Sequence, residues 1–259
     1  MSGIARRQVR MAGAALAVAL AVGLTPPPAR AGVGDVVEPC AGAGATDLMH
    51  YCCKEERSIP LLLLPDFAGS GLSQAWIDRT REILGPHNVS VYATYGGGEG
   101  LPDSRTAANM PELCKEIIYA LGSSIDKLKH KLPVVFITYA SSPAEAGPDS
   151  YGMYIGDLQQ SCEAPLREWF ADDPEKLERL LNNLDHYQVV VLNSYKLEDG
   201  ACLDALAHEI GHAHGLGHDG DAGNVMFSCD PSSPRDGLSQ IQVAKICAPK
   251  RFNDILTLP

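Results

Sequence analysis

The chain has 259 residues, with 21 Lys and Arg against 32 Asp and Glu and a formal net charge of −11 at neutral pH. That acidic balance repels nucleic acid and anionic membrane surfaces, so neither is expected as a partner. With 45% hydrophobic residues, the length suffices for a real core in one or two lobes.

The first 31 residues read as a secretory signal peptide. Arg6, Arg7 and Arg10 form a basic head, Met11 to Leu24 is a short apolar run, and Ala29-Arg30-Ala31 offers a cut before Gly32. The Arg6-Arg7 pair leaves a twin-arginine export signal open. Removing this segment takes four arginines and no acids, so 17 basic residues face 32 acidic ones and the net charge becomes −15. No second apolar run approaches spanning length. A secreted monomer that stays off the membrane once the signal is removed is therefore expected. All eight cysteines lie after the cut: Cys40, Cys52, Cys53, Cys114, Cys162, Cys202, Cys229 and Cys247. An even count in an oxidising compartment reads as up to four disulfides, and no CxxC spacing suggests a zinc knot. Adjacent Cys52 and Cys53 should tie to different partners, with the pairing itself left open.

Residues 32–58 are rich in Gly and Ala and read as an irregular segment held by cysteines, followed by one domain over 59–259. "IPLLLLPD" (Ile59 to Asp66) suits a buried strand, and Leu72, Trp76, Ile77, Ile83 and Leu84 fall on one side of a helix stopped by Gly85-Pro86. "NVSVYATY" (Asn88 to Tyr95) reads as a strand and "GGGEGLPDS" as a loop. A long helical stretch opens at Pro111, with a break near Gly122. Strands are predicted at Pro133 to Ala140, Ser150 to Leu158 and Tyr187 to Tyr195, with a helical region from Glu163 to Leu184 between the last two. "GACLDALAHEIGHAHG" is a helix ending at Gly215, and "RDGLSQIQVAKICA" a last helix carrying Cys247.

The stretch "LAHEIGHAHGLGHD" carries the chemistry. Residues four apart on a helix share a face, so His208 and His212 can meet one ion. Glu209 lies beside the metal without ligating it, the place of a general base in an HExxH site. Gly215 can take a left-handed turn that ends the helix, and the chain then folds back to bring His218 as third ligand. Three protein ligands with a fourth position open to water is the arrangement of a catalytic zinc. His214 points about 200° away from His212 and should be a surface or packing histidine, with the helix dipole favouring its charged form.

With this full pattern, H-E-x-x-H-x-x-G-x-x-H, followed by Met226 in "GNVMFS", the chain resembles the metzincin metalloproteases. The resemblance implies an α/β (α+β) fold with a twisted five-stranded mixed sheet and a zinc helix at the cleft. It further implies a small C-terminal lobe from Gly217 onward, with a Met-turn and a final helix. Met226 would form a hydrophobic base beneath the ligands. Asp219 after the third histidine, "YGMYIGDLQQSC" as an edge strand ending near Cys162, and "YQVVVLNSY" look most like the adamalysin (reprolysin) branch. Two features depart from it: the loop from His218 to Met226 is short and lacks cysteines. Ser228 stands where astacin- and serralysin-type proteins place a tyrosine ligand.

The function this implies is a secreted zinc endopeptidase acting on a protein or peptide. His208, His212 and His218 hold one ion, Glu209 is the general base, and substrate pairs with an edge strand at Gly152, Met153, Tyr154, Ile155 and Gly156. A latency-keeping cysteine among Cys40, Cys52 and Cys53 is weighed against disulfide roles, which are preferred. No G-x-S-x-G elbow supports a serine hydrolase. "DGDAGN" (Asp219 to Asn224) faintly resembles a calcium loop but lacks its glutamate and glycine, so it reads as a surface turn, with Ca2+ kept as a second candidate cofactor. Asn88-Val89-Ser90 is a glycosylation sequon in a glycosylating host. A zinc-binding interaction or toxin-like protein and a non-peptide amide hydrolase remain as alternatives.

Overall fold

The computed structural model describes residues 33–40, 51–64, 72–96, 106–122, 129–139, 151–185, 187–193, 202–228, 235–250 and 252–253. The signal-like segment, residues 97–104 of the glycine-rich loop, Asp66, residues 194–201 and Cys229 lie outside them.

Four parallel strands form the centre: β3 (Arg57–Leu64), β4 (Val89–Tyr95), β6 (Leu132–Tyr139) and β8 (Val189–Asn193). A fifth, β7 (Gly152–Ile155), runs antiparallel to β8, giving the order β4-β3-β6-β8-β7 with β7 at an edge. This is the mixed five-stranded sheet the sequence implied, with a two-residue strand β5 (Thr106–Ala107) added beside β6. The near-continuous apolar runs of β3, β6 and β8 are explained by burial on both faces. Leu61, Leu63, Val134, Phe136, Val190 and Leu192 enter one core, while Leu62, Leu64, Val135, Ile137, Val189 and Val191 enter the other.

The second core is covered by α3 (Met110–Gly122), α4 (Leu158–Trp169) and α5 (Pro174–Leu184). The first is covered by α2 (Leu72–Leu84), α6 (Ala205–Ala213) and α7 (Gln240–Cys247). Val225, Met226, Val243, Ile246 and Phe252 belong to that same first core. The segment after Gly217 is therefore packed into the main body, and residues 32–259 form one compact unit.

Capping chemistry accounts for most boundary differences. The single helical region expected from Glu163 to Leu184 is two helices, because Asp157 accepts from Gln160 N at 2.9 Å and Asp173 accepts from Lys176 N at 3.0 Å. Pro174 then starts α5. The strand expected over 150–158 is correspondingly shorter. The helix from Pro111 begins at Met110, where Asn109 accepts from Glu112 N, and residues 129–130 form a turn rather than a continuation to Leu132. In α7, Ser239 and Gln242 form a reciprocal capping box, so the helix starts five residues later than the pattern suggested.

The N-terminal segment is less irregular than expected. A short helix α1 (Val33–Val36) leads into β1 (Val37–Pro39), which pairs with β2 (Tyr51–Cys53). Cys40 bonds Cys52, Cys53 bonds Cys247, Cys114 bonds Cys162, and Cys202 is also oxidised. The neighbouring Cys52 and Cys53 thus take different partners, and none of the three N-terminal cysteines is a free thiol. In the sequon, the Asn88 amide donates to Cys53 O at 3.0 Å and Asn88 sits at φ 61° closing a 3-10 turn, so the group a glycan would need is already engaged. No helix among the described residues is long and apolar enough to cross a membrane.

Candidate metal centre

Helix α6 is buried along nearly its whole length, because Leu206, Ala207, Ile210 and Ala213 enter the core beneath the sheet. It ends at Ala213, two residues short of the stop expected at Gly215, with His214 as its C-cap. Gly215 adopts φ 76°, Leu216 N returns to Gly211 O at 3.0 Å, and the ammonium groups of Lys245 and Lys250 donate to Gly215 O and Ala213 O. The chain reverses there and brings His218 back to the first two histidines.

His208, His212 and His218 each offer a ring nitrogen, and the three atoms lie within 4.8 Å of one another. His208 Nδ1 lies 2.8 Å from Val225 O and His212 Nδ1 lies 2.8 Å from Leu216 O. A carbonyl can only accept, so each Nδ1 carries the proton and each Nε2 presents its lone pair. Those two Nε2 atoms stand 3.0 Å apart. Nitrogens bonded at about 2.0 Å to one tetrahedral ion are about 3.3 Å apart, so the separation is that of two ligands sharing a cation. Burial holds the His208 imidazole down to about 4 and lowers His212 too, which keeps both in the neutral form a metal requires. Three converging imidazoles suit zinc, and the residues present fit it.

Glu209 projects beside this group, 5% exposed, with Oε2 buried and without a hydrogen-bond partner among the described residues. Burial pushes its carboxyl up to about 8. Gly152 of the edge strand lies against it. A Cβ there would stand 3.0 Å from Glu209 Cγ, 3.1 Å from its Oε1 and 2.9 Å from Leu192 Cδ2. Only glycine lets β7 approach the carboxyl this closely. Met153, Tyr154 and Ile155 continue β7, and Tyr154 donates to Gln188 at 2.8 Å; Gly156 falls in the bend beyond the strand.

Met226 lies in the turn after Asn224, fully buried, with its sulfur against the α6 backbone at Gly211. His214 is the correction. It is not part of the three-histidine group, and its ring packs edge-on to Phe252 at 5.5 Å. Burial and the Lys250 ammonium hold it down to about 4, against a weaker pull from the Lys245 backbone. Desolvation outweighs the helix dipole, so His214 is neutral and not the charged group expected at a helix end. In "DGDAGN", Asp219 and Asp221 accept from the backbone amides of Asp221 and Gly223, as a turn requires.

Several contributors had no motif. Val225 and Leu216 act through main-chain carbonyls, which any residue carries. Arg235 is 1% exposed and forms an ion pair with Asp204 at the start of α6, Nε to Oδ2 at 2.8 Å, while also donating to Phe227 O. Gln242 reaches from α7 to the loop that follows His218.

No family model and no curated protein matches the chain. Among solved structures it is similar to metalloproteinase-II from Bacteroides fragilis, at 13% identity over 76% of this chain and 56% of that one, with a TM-score of 0.43. It is also similar to archaemetzincin from Methanopyrus kandleri, at 14% identity over 73% of this chain and 86% of that one, with a TM-score of 0.34. The chain thus spans 56% of the Bacteroides fragilis chain's length. Both likenesses are distant and say nothing about the chemistry of the three histidines.

Proposed function

We propose that the chain is a secreted zinc endopeptidase of metzincin type. The observation that carries this reading is the convergence of three imidazole nitrogens beside a buried carboxyl whose Oε2 has no partner among the described residues. A structural zinc site would have no use for that carboxyl. When bound, zinc supplies a water acidified to a pKa of about 7 and polarisation of the scissile carbonyl.

The chain's own residues divide the remaining work. Val225 O and Leu216 O hold two imidazoles in the metal-binding tautomer. Glu209 takes the proton of the attacking water and returns it to the leaving amine. Its burial keeps the carboxyl basic enough for that exchange, and a facing dication draws it back toward the ionised form. An extended peptide would pair with β7 through main-chain hydrogen bonds, next to Gly152, where no side chain stands between strand and base. Met226 under Gly211 serves as the apolar floor that the Met-turn reading assigns to it. The basic, apolar first 31 residues and the disulfides support export.

The test compares E209Q with the unaltered protein. The variant should bind zinc comparably in competition with a chromogenic chelator, yet cleave a diverse peptide library at least about 10²-fold more slowly. Chelation should abolish cleavage and added zinc should restore it. Undiminished cleavage by E209Q, or by the chelated protein, refutes the reading.

A further inference from the structure

The loop between His218 and Met226 carries three parts of the metal centre. Among the described residues the Gln242 side chain ties its two ends together, beside main-chain bonds from Val225 N to Gly237 O and from Gly237 N to Gly223 O. Asp219 adjoins the third ligand, Val225 supplies the carbonyl that orients His208, and Met226 lies under α6. Across the loop, Asp219 N donates to Met226 O at 2.9 Å and Met226 N donates to Asn224 Oδ1 at 2.8 Å. Gln242, 8% exposed on α7, connects the two ends. Its Nε2 donates to Asp219 Oδ2 at 3.1 Å and Asn224 Oδ1 at 3.3 Å. Its Oε1 accepts from Asn224 Nδ2 and from Ser239 N, each at 2.8 Å.

All four hydrogen-bonding capacities of the amide are thereby used. The far end of α7 is fixed as well. Cys247 is bonded to Cys53 and its carbonyl accepts from Arg57 Nε at 2.7 Å. The Gln242 amide is therefore presented from a helix that cannot easily follow the loop if the loop shifts.

We infer that Gln242 is a positioning residue for the metal centre, setting the place of His218 and of the Val225 carbonyl through Asp219 and Asn224. This rests on the zinc reading above. A glutamine is required because the site needs a donor toward the Asp219 carboxylate and an acceptor toward Asn224 on one planar group. Glutamate has the same shape but offers only acceptors when ionised, and it sets a second carboxylate against Asp219.

That isostere separates positioning from simple charge. Q242E adds a negative charge near a bound dication, so electrostatics alone would tighten zinc binding. If Gln242 positions the loop, binding weakens instead, by about 10–100-fold as for other groups that orient ligands. The double variant D219N/Q242E swaps donor and acceptor. The amide introduced at position 219 can then donate to the carboxylate introduced at position 242, while its oxygen still accepts from Asp221 N, so most of the lost affinity returns.

Zinc affinity of the full chain, measured by competition with a chromogenic chelator, is the readout, alongside the visible spectrum of the cobalt-loaded protein. The expected result is weaker zinc binding and an altered cobalt spectrum in Q242E, both largely reversed in D219N/Q242E. Equal or tighter binding by folded Q242E, or no recovery in the double variant, overturns the inference and leaves the zinc reading intact. If Q242E does not fold, the double variant decides: recovered folding with zinc binding supports the exchange, and continued unfolding overturns it. Failure of the unaltered protein to bind zinc sinks both.

Discussion

Glu209→Gln in the metal-free protein tests the burial of the proposed base independently of catalysis. Burial pushes the carboxyl from an ordinary 4.5 to about 8. Between those values the native protein keeps a proton that the unfolded chain has lost, so raising the pH favours unfolding. The interval is 3.5 units (8 minus 4.5) at about 1.4 kcal/mol each, so up to about 5 kcal/mol of stability disappears as pH rises through it. His208 and His214 act in the opposite sense. Both are held down to about 4 from an ordinary 6.5, so their contribution is complete above 6.5 and is lost as pH falls toward 4. The lowered histidines, His212 among them, act against one carboxyl, so the metal-free protein is most stable near pH 6.5 to 7, with a net decline of at most about 1 kcal/mol from there to pH 8. Urea unfolding of the chelated protein at half-unit steps from pH 5 to 8 measures this directly. E209Q should keep the rise and lose the decline, and the difference between the two proteins removes the groups they share. Parallel curves for the two proteins from pH 6.5 to 8 would refute the argument that burial, with no compensating partner, governs this carboxyl.

Two further substitutions probe how α6 is seated. Gly211→Ala places a methyl against the Met226 sulfur in a fully packed site, so overpacking of about 1–3 kcal/mol outweighs a helix-propensity gain of about 1 kcal/mol. Urea unfolding should show a net loss, and a stabilised G211A would mean that Met226 yields freely. Arg235→Met strands the Asp204 carboxylate, 6% exposed, and should cost about 3–5 kcal/mol by the same assay, whereas D204L/R235M should recover most of it. A loss below about 1 kcal/mol in the single variant would show that the ion pair does not anchor the helix.

Much of the fold was legible because its strands are buried on both faces. "PVVFITYA" and "YQVVVLNSY" are apolar without alternation, which is what a central parallel strand requires. The caps are equally present in the letters, in "DDPEK" and "LSQIQ", yet periodicity absorbs Asp173 and Ser239 into longer helical patterns. Periodicity extends across a break when apolar spacing resumes in phase, and the cap marks the break only if it is weighed first. His214 differs for another reason. Its place near a helix end is local and suggested a charge, but its state is set by Phe252 and Lys250, nearly forty residues later in the chain.

The same division between local and distant explains the metal centre. "HEIGHAHGLGH" spells its three candidate ligands within eleven residues because one helical turn and one left-handed glycine are enough to bring their rings together. Ring orientation is another matter. The carbonyls that fix the tautomers belong to Leu216 and Val225, and a carbonyl leaves no signature in a sequence. Gln242 is read most simply as the partner of the Ser239 cap, a role it does fill, and its amide reaches the metal loop only once α7 is folded against it. Ligand identity is thus encoded in one short segment, while ligand aim depends on groups spread over α7 and the loop it holds. A short segment carrying the histidines alone would keep the motif but lose the Val225 and Gln242 contacts. Its rings would have to be ordered by the metal itself, at the entropic cost the folded protein has already met.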